Sequence, residues 1–270
     1  MKHKINCLLF LKSKIIITTV FLFVSFSVFS QNDITPETNG QQVDESKDWS
    51  FTAAPYLLLP SMKGDVAIKG LPVDVNVSPS DIFDNLDFGM MLYLEATKEK
   101  WTVSFDFLYM DLGKDGTTPL ASRDASVDIK QIAATFNGLY RINNWFEAGI
   151  GGRINSVKNG VKIAAADYVL PGRDFSMTET WFDPLIVTRV MTEINEKWRL
   201  GALADIGGFG IGSDLAWQFN PFVGYRFSEL FEIAIAYRWL GMDYDAGSET
   251  DYFLYDLTIS GAELGLLFHF

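Results

Sequence analysis

Acids and arginines alternate with apolar residues along much of this chain: Glu95, Asp106, Arg141, Glu147, Arg153, Asp183, Arg189, Arg199, Asp205, Arg226, Glu232, Arg238 and Glu263. Mixed charges of this kind can pair across an enclosed space, select small ions, or move a proton between two carboxyls. Nucleophilic hydrolysis by a Ser-His-Asp set needs a histidine, and the chain has only His3 and His269, one near each end. An acid pair acting on water is left, and spacing singles none out. The chain therefore reads as a non-enzyme.

Asp243, Asp245, Glu249 and Asp251 crowd one short segment. Oxygen ligands suit Ca²⁺ or Mg²⁺, but the spacing misses the EF-hand pattern, so a solvated acidic loop is preferred over a divalent-cation site. Between Asp205 and Asp214, glycines stand at 207, 208, 210 and 212, with no following Gly-Lys-Ser/Thr to make a phosphate loop. No cofactor or metal is assigned. The lone cysteine, Cys7, lies in the leader and excludes disulfide and thiolate chemistry from the remainder.

These charges must be positioned by strands. In Trp101–Tyr109, Trp101, Val103, Phe105, Phe107 and Tyr109 share one face, and Thr102, Ser104, Asp106 and Leu108 the other. The same dyad recurs at 49–59, 88–96, 132–140, 198–206, 215–225 and 231–239, and in the final residues Ala262, Leu264, Leu266, Phe268 and Phe270. The apolar faces are long, aromatic and uncharged. Roughly ten residues per strand suits a tilted bilayer crossing, and lipid requires such a sheet to close. The fold class expected is all-β, a closed antiparallel transmembrane barrel with a polar lumen.

Ten strands are expected, near 49–60, 87–98, 101–112, 125–142, 145–156, 178–194, 197–208, 214–227, 230–242 and 252–270. Eight or twelve are the alternatives, because the 60–86 and 156–178 segments could add or lose a pair. Short turns at 98–100, 143–144, 195–197 and 228–230 alternate with longer segments at 60–86, 113–125, 156–178, 208–214 and 242–252. Short turns belong in the periplasm, which puts both termini there. Trp101, Trp145, Trp198, Phe231 and Phe270 then form a membrane girdle, and Tyr109, Trp181, Trp217 and Trp239 supply parts of a second. In the 60–86 segment, Asp65–Lys69 and Val73–Val77 suggest a hairpin around Gly70-Leu-Pro72. A capped helical turn follows at Ser80, and together they read as a lid over the mouth or as an ordered loop.

Residues 1–30 read as a cleaved secretory signal, with Lys2, Lys4, Lys12 and Lys14 before an apolar Ile15–Phe29. Residues 31–48 read as a disordered periplasmic spacer and 49–270 as the barrel. Losing four lysines and no acid deepens the net charge of −12, which argues against nucleic-acid binding.

The terminal Phe270 with apolar residues at alternate positions before it resembles the signal by which barrel insertion machinery recognises outer-membrane strands. Asp183-Pro-Leu-Ile186, Asp205–Asp214 with Trp217-Gln218, Gly224-Tyr-Arg-Phe227, Leu71-Pro-Val-Asp-Val75 and Ser80–Leu86 resemble a family of uncharacterised bacterial outer-membrane β-barrel proteins. The resemblance covers nearly all of 49–270 and implies fold and location, with no functional residues carried over. The partners expected are outer-membrane lipid, the insertion machinery, and small solutes or divalent cations, for a monomer. The function expected is a narrow channel or small-solute barrel. The alternative is a non-conducting structural or surface-interaction barrel acting through acidic extracellular loops. Glu95, Asp106, Arg141, Glu147, Arg153, Asp183, Arg189, Asp205, Arg226 and Arg238 are the expected lumen charge network.

Overall fold

Alternation of side chains dictates the architecture, because only a closed sheet can hide the polar parity and show the apolar one. The computed structural model describes residues 48–117, 124–164 and 172–270. The expected signal and almost all of the expected spacer lie outside the described residues.

The barrel strands are β1 (Ser50–Ile68), β3 (Leu86–Lys98), β4 (Trp101–Thr117), β5 (Asp124–Arg141), β6 (Phe146–Ile163), β7 (Arg173–Glu193), β8 (Trp198–Gly208), β9 (Leu215–Arg226), β10 (Phe231–Ala246) and β11 (Phe253–His269). A further strand, β2 (Leu71–Val77), and a short helix, α1 (Pro79–Asp84), lie between β1 and β3. Each barrel strand pairs antiparallel with its neighbours, and β11 pairs with β1 to close a ten-stranded barrel. The seam is completed by Phe51, whose N–H donates to the Phe270 carbonyl (3.0 Å) and whose carbonyl accepts from the Phe270 N–H (2.9 Å).

Two of the tight turns use one device. The Asn143 side-chain oxygen accepts from the Trp145 and Phe146 N–H groups, and the Asn195 oxygen from Lys197 and Trp198. Asn is favoured there because its side chain mimics a backbone turn. Strands continue well into the segments expected as long loops, so β1, β4, β5, β6 and β7 are 17 to 21 residues long. Their backbone groups still need partners beyond the membrane, and hairpin pairing supplies them.

The 60–86 segment holds the expected hairpin, but its turn is tighter than expected. Lys69 and Gly70 both take positive φ, 53° and 73°, and Ile68 pairs with Leu71. That is the two-residue turn matching strand twist. The helix cap is Ser78, not Ser80: the Asp81 N–H donates to the Ser78 hydroxyl, and the Ser78 N–H donates back to Asp81.

The apolar parity faces outward as expected. Trp101 packs edge-on against Tyr140 (4.9 Å), Trp198 against Tyr225 (4.9 Å), and Phe231 lies by Phe268 (5.5 Å). Trp101, Trp145 and Phe270 are exposed along the same short-turn end. Near the other end, Trp239 packs with Tyr237 and Phe219, and Phe88 with Tyr109. Trp181 departs from the expected second girdle: it is buried, on the inward parity of β7.

Candidate functional site

The inward parity divides the lumen into two halves. The half nearer the short turns is polar and ion-paired. Arg189 on β7 bonds Glu95 on β3 and Glu147 on β6 (Nε–Oε2 2.8 Å). The Tyr93 hydroxyl donates to Glu95 (2.5 Å), and Arg141 adds a 3.3 Å contact to Glu147. Arg238 on β10 reaches Asp106 (2.9 Å) and Glu263 (2.6 Å). The Tyr56 hydroxyl donates to Asp106 (2.6 Å), and the Asn220 amide to Glu263 (2.7 Å). Arg199 bonds Glu232 (2.7 Å), whose other oxygen is 3.3 Å from the His269 ring. Arg153 meets Asp205 (2.8 Å) with both side chains almost wholly buried. Charges this dry are stable only as pairs, because each alone would bear its full desolvation cost.

Two members of the expected network stand apart from it. Asp183 takes no arginine, although Arg153 is its neighbour in register. It accepts instead from the Asn155 amide, the Trp181 indole, and the Ser213 N–H and hydroxyl. It therefore ties the glycine-rich 208–214 turn to β7. Arg226 lies at the rim, 3.2 Å from an exposed Glu193. As the last residue of β9, it stands past the paired layer.

The other half of the lumen is largely apolar, with Gln131, Asn155, Asn159, Asp183 and Ser213 buried in it, which amends the expectation of a polar interior. Leu58, Met62, Leu108, Met110, Leu240, Met242, Leu257 and Ile259 form one buried cluster with Trp181, Phe253 and Tyr255, joined by Ile82 from α1. Trp181 stacks on Tyr244 at 4.2 Å with rings 5° apart. Where the halves meet, among Leu58, Leu108, Arg153, Arg238, Leu240 and Ile259, the void is about 10 Å³. That is the lower limit for one water.

Below this seal lies a cavity of about 150 Å³ in the ion-paired half. It rises from Met191, Arg199 and Leu267, which keep partial exposure, to the buried Gln218, Asn220 and Arg238. Its charged lining is Glu95, Asp106 and Glu263 against Arg189, Arg199 and Arg238, so the signs balance. Phe222, Leu203, Ala234 and Ala236 supply apolar wall.

The acidic segment sits at the opposite end. Asp243, Asp245, Glu249 and Asp251 are exposed, with Asp243 across from Asp256 on β11. Partial burial, then the Asp256, Asp214 and Asp245 carboxylates, raise the Asp243 carboxyl above its ordinary range. Among the described residues no three acidic, His or Cys side chains converge to hold a metal ion.

Tyr56, Tyr93 and Asn220 were not singled out by sequence reasoning, and neither was the apolar cluster. On β4, β10 and β11 the signal lies in the inward parity, which changes from apolar to polar part-way along.

Comparison with solved structures bears on the fold. The outer-membrane protease OmpT from Escherichia coli is 8% identical, covering 83% of this chain and 98% of that one at a TM-score of 0.51. The protein has the closed antiparallel β-barrel fold of outer-membrane proteins. Ail, the attachment invasion locus protein of Yersinia pestis, is 15% identical over 82% of this chain and 98% of that one, at 0.36. The toluene transporter TbuX of Ralstonia pickettii is 9% identical over 83% and 89%, at 0.38. No family model and no curated protein sequence matches the chain.

Proposed function

We propose that this barrel binds a small neutral solute with an apolar body and does not conduct hydrated ions. One observation carries the reading: a charge-balanced cavity of about 150 Å³ ends where the lumen narrows to a void of about 10 Å³, beneath the apolar cluster. Balanced carboxylates and guanidiniums give an ion nothing to gain over water, and the apolar cluster gives it much to lose. A neutral amphipathic molecule can leave its polar end among the ion pairs and place its body against Phe222 and Leu203. The methionines in and around the seal, Met62, Met91, Met110, Met177 and Met242, are unbranched and adaptable, which suits a boundary that yields to apolar guests.

In this reading the short turns and both termini face the periplasm, the cavity opens there, and the C-terminal strand addresses the insertion machinery. The protein is not an enzyme. His269, the one histidine among the described residues, is held between the Thr52 hydroxyl (3.0 Å) and Glu232. The acidic outer rim around Asp243 supports a second reading, a closed barrel meeting cationic partners through its loops.

The test uses the full mature chain in lipid nanodiscs. Benzyl alcohol is expected to bind saturably, benzoate weakly, and Ala236→Trp to abolish the saturable component. Equal binding of benzoate, or no saturable binding of benzyl alcohol, contradicts the reading.

A further inference from the structure

We propose that the barrel wall carries a lateral site for one alkyl chain of a membrane lipid, at a gap between β1 and β3, with α1 as its stopper. The inference rests on the solute-binding reading and deepens it by giving the apolar half of the lumen a route and a ligand class.

The gap is visible in the strand register. β1 pairs with β3 only from Ser50↔Thr97 to Pro55↔Leu92, six residue pairs. The next shortest barrel seam, β7 with β8, has nine. Yet β1 pairs with β11 as far as Ile68, and β3 with β4 as far as Leu86. Between Pro55 and Met62, where the β2 hairpin begins, β1 has no strand on its β3 side.

Unpaired backbone facing lipid is costly, and the sequence reduces that cost in three ways. The Leu58 N–H donates to the Met91 sulfur at 3.2 Å. Strand alternation puts the Pro60 nitrogen on the same side, and proline has no N–H to leave unpaired. The third is α1, which stands in the gap. Ile82 is 2% exposed against the lumen cluster, and the next residue, Phe83, is 39% exposed.

A void of about 80 Å³ lies here, lined by the exposed Leu57 and Phe83 and by the inward-parity Leu58, Met91 and Met110. No charged residue lines it. Its flanks on the outer surface are the exposed Leu57, Leu59, Phe88 and Met90, and the exposed Lys63 and Asp65 come only beyond it. The exposed Asp84 and Asp87, next to Phe83 and Leu86 of its lining, set its mouth at the edge of the apolar band, where a lipid headgroup can stay in water while one chain enters. A narrow apolar slot at that depth admits a single chain. The stopper is held lightly: α1 has six residues, too few to be stable alone, and is tied by its Ser78 cap and by the Gly113 N–H to the Asn85 carbonyl (2.9 Å).

The experiment reconstitutes the mature protein in phosphatidylcholine vesicles carrying a mid-chain diazirine, and maps cross-links by mass spectrometry. Cross-links are expected on Leu58, Met91 or Met110 as well as on the outer face, rising several-fold in Ile82→Ala. Cross-links confined to Leu57, Leu59, Phe88 and Met90 overturn the proposal, and the wild-type map alone decides this if Ile82→Ala fails to fold. Labelling of the inner residues by a free diazirine alkanol but not by the lipid also overturns the lipid assignment. Benzyl alcohol binding is read separately, so its survival without inner cross-links removes the lateral site alone, and its loss in wild type removes the solute reading.

Discussion

On β11 the inward positions read Phe253, Tyr255, Leu257 and Ile259 toward the long-loop end, then Gly261, Glu263, Gly265, Leu267 and His269 toward the short turns. The same switch occurs on β4, from Met110 and Leu108 to Asp106, Ser104 and Thr102, and on β10, from Met242 and Leu240 to Arg238. One closed sheet thus encloses two interiors. The loop half is filled by apolar packing, which tolerates loss of a group at the cost of a cavity. The turn half is filled by pairs, which tolerate loss of both partners better than loss of one. The barrel is closed by packing in its loop half, and the ion pairs organise the cavity beneath.

The largest effect expected is from Arg189→Ala. It strands Glu95 and Glu147 without their shared guanidinium, and the expected loss is about 3–5 kcal/mol in urea unfolding followed by tryptophan emission. Leu240→Ala probes the other half and should cost about 2–5 kcal/mol by the same assay, set by how far its neighbours close in. If the two variants behave alike in every respect, including permeability to water, the division of the lumen is wrong. Trp181→Phe keeps the stacked ring but removes a donor to Asp183 and Ser213, for an expected cost of about 1–3 kcal/mol.

The smallest effect is at the stopper. The Ser78 hydroxyl, and then its N–H, hold the Asp81 carboxyl below its ordinary range. A depressed folded value means that the cap's contribution is present above the unfolded value and fades as pH falls through the folded one. Acidification below about pH 4 should therefore loosen α1, read from the Ile82 methyl signals, while the barrel stays folded. An Ile82 signal unchanged to the lowest pH at which the barrel survives would show that the cap does not hold the stopper.

Much of this was legible in the residues. Alternation around Trp101–Tyr109 and the tight Asn143 and Asn195 turns specify a closed, up-and-down barrel, because the period and the turn length are local properties. The inward placement of Arg153, Arg189 and Arg238 follows from parity alone. Their partners do not, since Arg189 meets Glu95 from across the lumen and closure sets that contact. Asp183 looked like an ion-pair partner because a carboxylate satisfied by N–H and O–H donors carries the same letter as one satisfied by arginine. Trp181 looked like a girdle residue until parity was counted from Asp183. The gap between β1 and β3 was hidden because Pro60 reads as a strand end, whereas β1 continues through it with one side unpaired.

The most direct test of the central claim is single-channel recording on the protein, folded and inserted in a planar bilayer. The account predicts no discrete ion conductance in the wild type, and openings when Leu58→Ala and Leu240→Ala are combined to thin the seal. Reproducible openings in the wild type, of the same size as in the double variant, would contradict it.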